Sequence, residues 1–475
     1  MNKHITALHT TLRPLIELDE NIELIIAYSG GVDSQVLLHA LIQLQQKIRF
    51  TNTITVCHVN HGLSQNAQAW QNFAEQECAK LLVNLVIKKV NLQPKPQQSL
   101  EALARDARYD ALKSLRDKKC LVLTGHHSDD QSETFLLALK RGAGLKGLSA
   151  MAVQSELGQH LLVRPLLSIS RQEIEDYANS HQLTWVEDES NTDNCFDRNF
   201  IRQQIMPSLR KRWPSISQTI NRSASHCLAG QELLDELAEQ DLAVCKAETT
   251  GLQVEPLKLL SPARFNNLLR FFMAQQGCLM PSTEQVKQVR QQLAADADKM
   301  PQIKVGQYVF RRYKNTLFLT SFYQDISDWQ VQVDISYRAL TLGDIVVNLP
   351  DNVGTLVFNA STAQKLNSAN KSSQNIPIDH LTMNQKTLPG IALPKAAQQV
   401  TIRFSHDNPT CLPHFRQHSR SVKKVLQELN IAPWERKRIP FLYYDNVLVA
   451  AIGHFICQSF IEHDSTLGIK IVLLN

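Results

Sequence analysis

The residues with the greatest chemical capacity stand at six consecutive positions, Ser29-Gly30-Gly31-Val32-Asp33-Ser34. The apolar run Ile22 to Ile26 leads into them and reads as a buried strand. The apolar helical face of Gln35 to Gln45 follows. A glycine pair at a strand-to-helix turn lets backbone N–H groups close on an anion, and the helix N-terminus adds a positive dipole end. Ser29 and Ser34 add hydroxyl donors. A carboxylate in such a cradle repels phosphate unless a cation lies between them, so Asp33 implies bound magnesium. No lysine follows as in G-x-x-x-x-G-K-[ST], and the spacing is not G-x-G-x-x-G.

Four further motifs carry polar chemistry. His58-Val59-Asn60-His61-Gly62 closes a predicted strand over Thr53 to His58. His58 and Asn60 can hydrogen-bond a nucleotide, or simply form a polar turn. On a predicted helix over Ser99 to Leu115, Arg105, Arg108 and Tyr109 share a face. The two arginines can bind phosphate, or form a solvated ion-pair face with Glu101 and Asp106. After a strand over Cys120 to Thr124 comes Gly125-His126-His127-Ser128-Asp129-Asp130-Gln131-Ser132-Glu133, with Asp129 as expected N-cap. Asp130 and Glu133, three apart, can hold magnesium or orient an amine. Two histidines without a third nitrogen or sulfur ligand make a poor transition-metal set. Arg198 and Arg202, four apart, share a helix face, and Cys195 to Pro214 carries five Lys/Arg against Asp197 alone. Such imbalance points to an anion, either ATP phosphates or a nucleic-acid backbone.

Each motif follows a strand because strands and helices alternate through the first 190 or so residues. The expected fold is α/β, a doubly wound parallel sheet with ligands beyond the carboxyl ends of its strands. A small α/β domain and a C-terminal α+β domain are expected to follow. A chain of 475 residues needs several cores. The expected divisions are 1–214 (catalytic), 215–250 (linker helix), 251–320 (small α/β) and 321–475, with an Asn/Ser/Gln/Lys-rich insertion at Asn359 to Thr387. Nine cysteines without a C-x-x-C pair suit reduced thiols in the cytoplasm. No secretory signal and no membrane span is evident.

Ser-Gly-Gly-Val-Asp-Ser resembles the pyrophosphate loop of the ATP pyrophosphatase superfamily, which implies a doubly wound sheet of the adenine nucleotide α hydrolase type. With His-Val-Asn-His-Gly-Leu, Ala-Arg-Asp-Ala-Arg-Tyr, Gly-His-His-Ser-Asp-Asp-Gln-Ser-Glu-Thr and Asp-Arg-Asn-Phe-Ile-Arg in this order, it resembles the tRNA(Ile)-lysidine synthetase family. The resemblance implies an ATP-dependent ligase that joins free L-lysine to the 2-oxo position of the wobble cytidine of isoleucine tRNA (CAU anticodon), through an adenylated cytidine. It implies ATP phosphates on Ser29 to Ser34, magnesium at Asp33 and Asp130, charge supplied by Arg198 or Arg202, and an amine oriented by Asp130 and Glu133. A homodimer is an open option. The rival readings are a tRNA thiolase, an amide-forming ligase fed with ammonia, and a non-catalytic tRNA-binding protein.

If tRNA is the partner, its backbone needs cations away from the crevice. Arg311 and Arg312 lie on a strand read as exposing its arginines. Arg403 to Arg438 holds eight Lys/Arg against three Asp/Glu, including Lys423, Lys424, Arg436 and Arg438. Trp434, beside three of these cations, either stacks on a base or is buried. These seven residues are the expected tRNA contacts.

Overall fold

In the computed structural model, β1 (Glu23–Ala27) runs through the middle of a six-stranded sheet. The structure describes residues 3–62, 64–90, 92, 100–187, 189, 196–247, 250–293, 302–361, 388–462 and 468–474. They fall into two compact units, Met1–Glu239 and Gln240–Asn475.

In the first unit α1 (Lys3–Leu18) precedes β1, and α2 (Val32–Ile48) follows it. Then come β2 (Ile54–Asn60), α3 (Ala67–Leu81), β3 (Asn84–Lys89), α4 (Leu100–Lys113), β4 (Cys120–Leu123) and α5 (Ser128–Lys140). A short α6 (Leu145–Leu148), β5 (Gln154–Leu157), β6 (His160–Val163) and α7 (Arg171–Ser180) complete the sheet and its cover. The strand order is β3-β2-β1-β4-β6-β5, all parallel except the β5–β6 hairpin. Successive strands step one way from β1 to β3 and the other way from β4 to β6. The order therefore reverses between β1 and β4, and a crevice opens beyond their carboxyl ends.

Alternation along β1 shows why both faces need helices. Leu24 and Ile26 are fully buried in a core shared with α1, α2 and α7, while Ile25 is buried on the other face with Leu112 of α4. Each such side chain contributes about 1.5–3 kcal/mol by leaving water. In α1 the four-residue spacing of His4, Leu8, Leu12 and Ile16 makes the buried stripe.

One continuous helical segment follows: α8 (Asp197–Phe200), a π turn over Ile201–Ile205, and α9 (Met206–Arg212). Met206 N–H reaches back five residues to Ile201 O, and Pro207 next to it has no N–H to give. The long α10 (Ile216–Cys245) spans the boundary of the units.

The second unit begins with β7 (Gly251–Gln253), α11 (Val254–Leu259), α12 (Pro262–Gln275) and α13 (Thr283–Leu293). They pack on β8 (Gln302–Val305), β9 (Tyr308–Tyr313) and β10 (Thr316–Ser321), in the order β7-β10-β9-β8. Ser261 Oγ accepts from Arg264 N and Pro262 opens the helix, so α12 starts where capping chemistry places it. Phe265, Leu268, Leu269 and Phe272 give its buried face.

Two larger antiparallel sheets and a two-stranded one, 410–411 with 420–421, follow. Of the larger two, one has five strands, ordered 330–332, 400–403, 441–444, 447–451 and 455–456; the other has four, ordered 345–348, 355–361, 468–474 and 391–392. The strand Thr355–Ser361 pairs along its length with Gly468–Leu474. The insertion expected from Asn359 therefore starts later, since Asn359 to Ser361 extend a paired strand; residues 362–387 lie outside the described set. Among the described residues, no helix is long and apolar enough to cross a membrane.

Candidate active site

The loop after β1 is held by its own side chains. Ser34 Oγ donates to Gly31 O at 2.9 Å and accepts from Ser29 N at 3.3 Å. Gly30 has φ +86°, and a Cβ there would stand 2.8 Å from Val186 Cγ2. Gly31 is the N-cap of α2 and offers no capping side chain, so the first-turn N–H groups remain available to an anion. Gly125, just past β4, brings the second crevice wall against the loop: a Cβ on it would lie 2.9 Å from Asp33 C and O.

Around this loop the structure gathers Asp33, Asp130, Glu133, Arg198 and Arg202. Asp33 and Asp130 flank one imidazole, His127, whose Nε2 is 3.7 Å from Asp33 Oδ1 and 3.5 Å from Asp130 Oδ2. Glu133 is buried and takes both arginines: Arg198 Nε donates to Oε2 at 2.9 Å, and Arg202 Nε to Oε1 at 2.7 Å. Arg202 Nη2 also donates to Asp130 Oδ1 at 3.1 Å. Two of the five cations of this helical segment, Arg198 and Arg202, thus face the crevice's own carboxylates.

The expected N-cap is corrected. His127, not Asp129, caps α5, and Asp130 closes the turn by accepting from His127 N at 3.1 Å. Asp129 lies inside the helix, where it accepts from Arg171 N at 2.7 Å and pairs with Arg210.

Sequence reasoning missed Arg171. Its Nη1 donates to both Asp33 oxygens, at 2.9 and 2.8 Å. The signal available was Ser170-Arg171-Gln172-Glu173, a capping box in which Ser170 and Glu173 satisfy each other's backbone N–H and start α7 at Arg171.

Electrostatics separates the two aspartates. Burial raises the Asp33 pKa, with His127 and Arg171 opposing and the Asp130 charge adding to the rise. Burial also pushes Asp130 upward, but His127 and Arg198 outweigh it and the net shift is down. Burial drives His126 down to about 3, so this imidazole is neutral beside the crevice.

The other nucleotide-binding expectations divide. His58 is buried, with Nδ1 3.1 Å from Tyr28 O, so it ties β2 to the loop from behind. Asn60 Oδ1 accepts from Gly62 N at 2.9 Å and shapes its own turn. Arg105 and Arg108 are exposed on α4, with Arg105 over the Tyr109 ring at 5.4 Å. Burial does most to lower the pKa values of His126, His58 and His61, and the charges add to it, Arg105 at His126 and Arg108 at His58 and His61. Among the described residues no three His, Cys, Asp or Glu side chains converge as a metal cage.

In the second unit the expectation of exposed arginines on β9 is corrected. Arg311 and Arg312 are each 7% exposed. Arg311 Nε donates to Thr320 Oγ1 at 3.0 Å, and Arg312 Nη1 to Leu293 O at 3.2 Å. Trp434 is buried edge-to-face between Tyr313 and Phe318, so it offers no face to a base. Arg438 is paired with Asp351 and Arg436 Nε bonds Ile431 O at 2.8 Å. Lys423 and Lys424 are exposed, and so is Lys437, which the sequence reading did not single out.

A glycine-rich anion loop at the switch point of a doubly wound sheet defines a PP-loop ATP pyrophosphatase domain, an enzyme class that uses ATP. The family model of the PP-loop domain matches residues 3–209. Further models, the TilS substrate binding domain and the TilS substrate C-terminal domain, match residues 252–318 and 400–473. The chain is 40% identical to the tRNA(Ile)-lysidine synthase of Serratia proteamaculans (strain 568) over 444 residues, covering 93% of each chain. It is 36% identical to that of Coxiella burnetii (strain RSA 493 / Nine Mile phase I) over 453 residues, covering 94% of this chain and 92% of the relative. The chain belongs to the tRNA(Ile)-lysidine synthase family.

Proposed function

We propose that this chain ligates L-lysine to the 2-oxo position of the wobble cytidine in isoleucine tRNA with a CAU anticodon. ATP is consumed through an adenylated cytidine, and AMP and pyrophosphate leave. One observation carries the reading: an uncapped helix N-terminus, three acidic side chains and three arginines meet where β1 and β4 end.

The phosphates would lie on Ser29 to Ser34, against the uncapped first-turn N–H groups of α2. Asp33 and Asp130 fit magnesium: both are hard oxygen donors, they flank one nitrogen, and burial makes Asp33 a carboxylate that a cation would stabilise. Magnesium takes few protein ligands and fills its shell with water and phosphate. When bound it would offset phosphate charge. Arg198 and Arg202 rest on Glu133 and would do the same for charge developing at the α-phosphate. The lysine ammonium is a natural exchange partner for them. Seated at Asp130 and Glu133, it would release guanidinium charge toward the phosphates with the local charge balance unchanged. Either carboxylate could then take the proton that the amine must lose before attack.

The test incubates the protein with isoleucine tRNA, ATP and lysine, and follows pyrophosphate release and the mass of the wobble nucleoside. Release should depend on tRNA, and the lysine adduct should appear only when all three are present. Unmodified cytidine from protein that binds ATP and tRNA would sink the reading.

A further inference from the structure

Four of the expected tRNA contacts are occupied at one place, where the module matched at 252–318 meets the module matched at 400–473. The connector after β10 supplies its centre. The Arg438 guanidinium lies 4.0 Å from the centre of the Tyr323 ring, and the Arg311 guanidinium is 5.4 Å from that ring and 5.6 Å from Trp434. Tyr323 O–H donates to Glu435 Oε1 at 3.2 Å. Asp351 holds Arg438 and also accepts from Gln324 N at 3.0 Å. Arg436 Nη2 reaches Tyr313 O–H at 3.4 Å. Guanidinium over an aromatic face is attractive, more so when both are desolvated.

We propose that Arg311, Tyr323, Asp351, Trp434 and Arg438 form a clamp that makes the two C-terminal modules one preorganised tRNA-docking body. These residues then set affinity through geometry and make no phosphate contact. The inference rests on tRNA being the partner. Preorganisation removes the cost of ordering two modules at the moment of binding. An exposed ion pair would add little to such rigidity. Arg438 and Asp351 are 11% and 13% exposed, so breaking this pair strands a charge.

The sign of one substitution separates the clamp from a plain electrostatic surface. Asp351→Asn removes a negative charge, so a surface that only attracts phosphate should bind tRNA as well as or better than before. A clamp that loses its anchor should bind tRNA about tenfold more weakly. Asp351 sits at φ +49°, which Asn tolerates, so the turn survives the change. We would measure tRNA affinity across a salt series, ATP affinity and thermal unfolding. The expected result is weaker tRNA binding with an unchanged salt slope and unchanged ATP affinity. Tyr323→Leu, which leaves every charge in place, should give the same pattern. Wild-type tRNA affinity in both folded variants, or a flatter salt slope in Tyr323→Leu, overturns the clamp. Failure of the wild type to bind tRNA would instead strike the proposed function.

Discussion

Arginines gather in two regions, and their surroundings differ. Around the β1–β4 crevice, Arg171, Arg198, Arg202 and Arg210 each meet a carboxylate, and three of them remain roughly two-fifths exposed. In the second unit Arg311 and Arg312 are buried and Arg438 is largely covered, against rings, carbonyls and one aspartate. The first arrangement leaves charge accessible and, on the proposed function, free to trade its partners for a substrate. The second has charge enclosed by rings and carbonyls, away from solvent. Counting cations along a sequence cannot distinguish them, because the distinction lies in what surrounds each guanidinium.

The strongest way to break the comparison is Asp33→Asn. It keeps the shape but removes the charge that pairs with Arg171. If the crevice ions are working parts, tRNA-dependent pyrophosphate release should fall about a thousandfold, roughly 4 kcal/mol of barrier, with the fold intact. Near-normal turnover with the same magnesium requirement would place Asp33 among merely structural ions.

A smaller effect should come from the cations that remain exposed in the second unit. Changing Lys423, Lys424 and Lys437 together to Ala should flatten the slope of log tRNA affinity against log salt by about three units at most. ATP affinity should not move. An unchanged slope would show that these lysines, like the buried arginines, do not face phosphate.

The contrast also explains which residues could be read from sequence. The loop Ser29 to Ser34 is legible because its chemistry is local: strand, two glycines, helix. Asp130 with Glu133, and Arg198 with Arg202, are legible as helix spacings. That they form one network is not, because it depends on folding residues 65 to 72 positions apart onto each other. Arg171 was missed for the same reason, since its partner Asp33 is 138 positions away. Arg438 reads as a surface group, and Trp434 as either a base-stacking or a buried ring, because Pro433 to Arg438 is charged. Their burial is decided by Tyr313, Phe318, Tyr323 and Asp351, which carry no local signature.

The smallest effect concerns the support beneath Arg171. Burial pushes the Glu173 carboxyl up, but hydrogen bonds from Lys3 and Ser170 outweigh it and hold its pKa at about 2, below the ordinary 4.5. A depressed acid contributes stability that is complete above the ordinary pKa and lost as pH falls through the folded one. The loss should therefore run from about pH 4.5 down to about 2. Glu173→Gln should flatten the acid limb of a thermal-stability profile in that window. An unchanged limb would mean that the cap of α7 contributes no pH-dependent stability.

Gly125 has a consequence for how this crevice can change over time. Where β4 ends, main chain meets main chain, with room for nothing larger than hydrogen at that Cα. Substitution can enlarge, shrink or recharge a wall made of side chains, but it has no purchase on this seam. A descendant that needs a wider mouth must shift a whole strand or helix, and the many contacts of both resist that. Variation should therefore collect on the surrounding side chains and on the later modules, while the spacing of this seam is inherited as a unit.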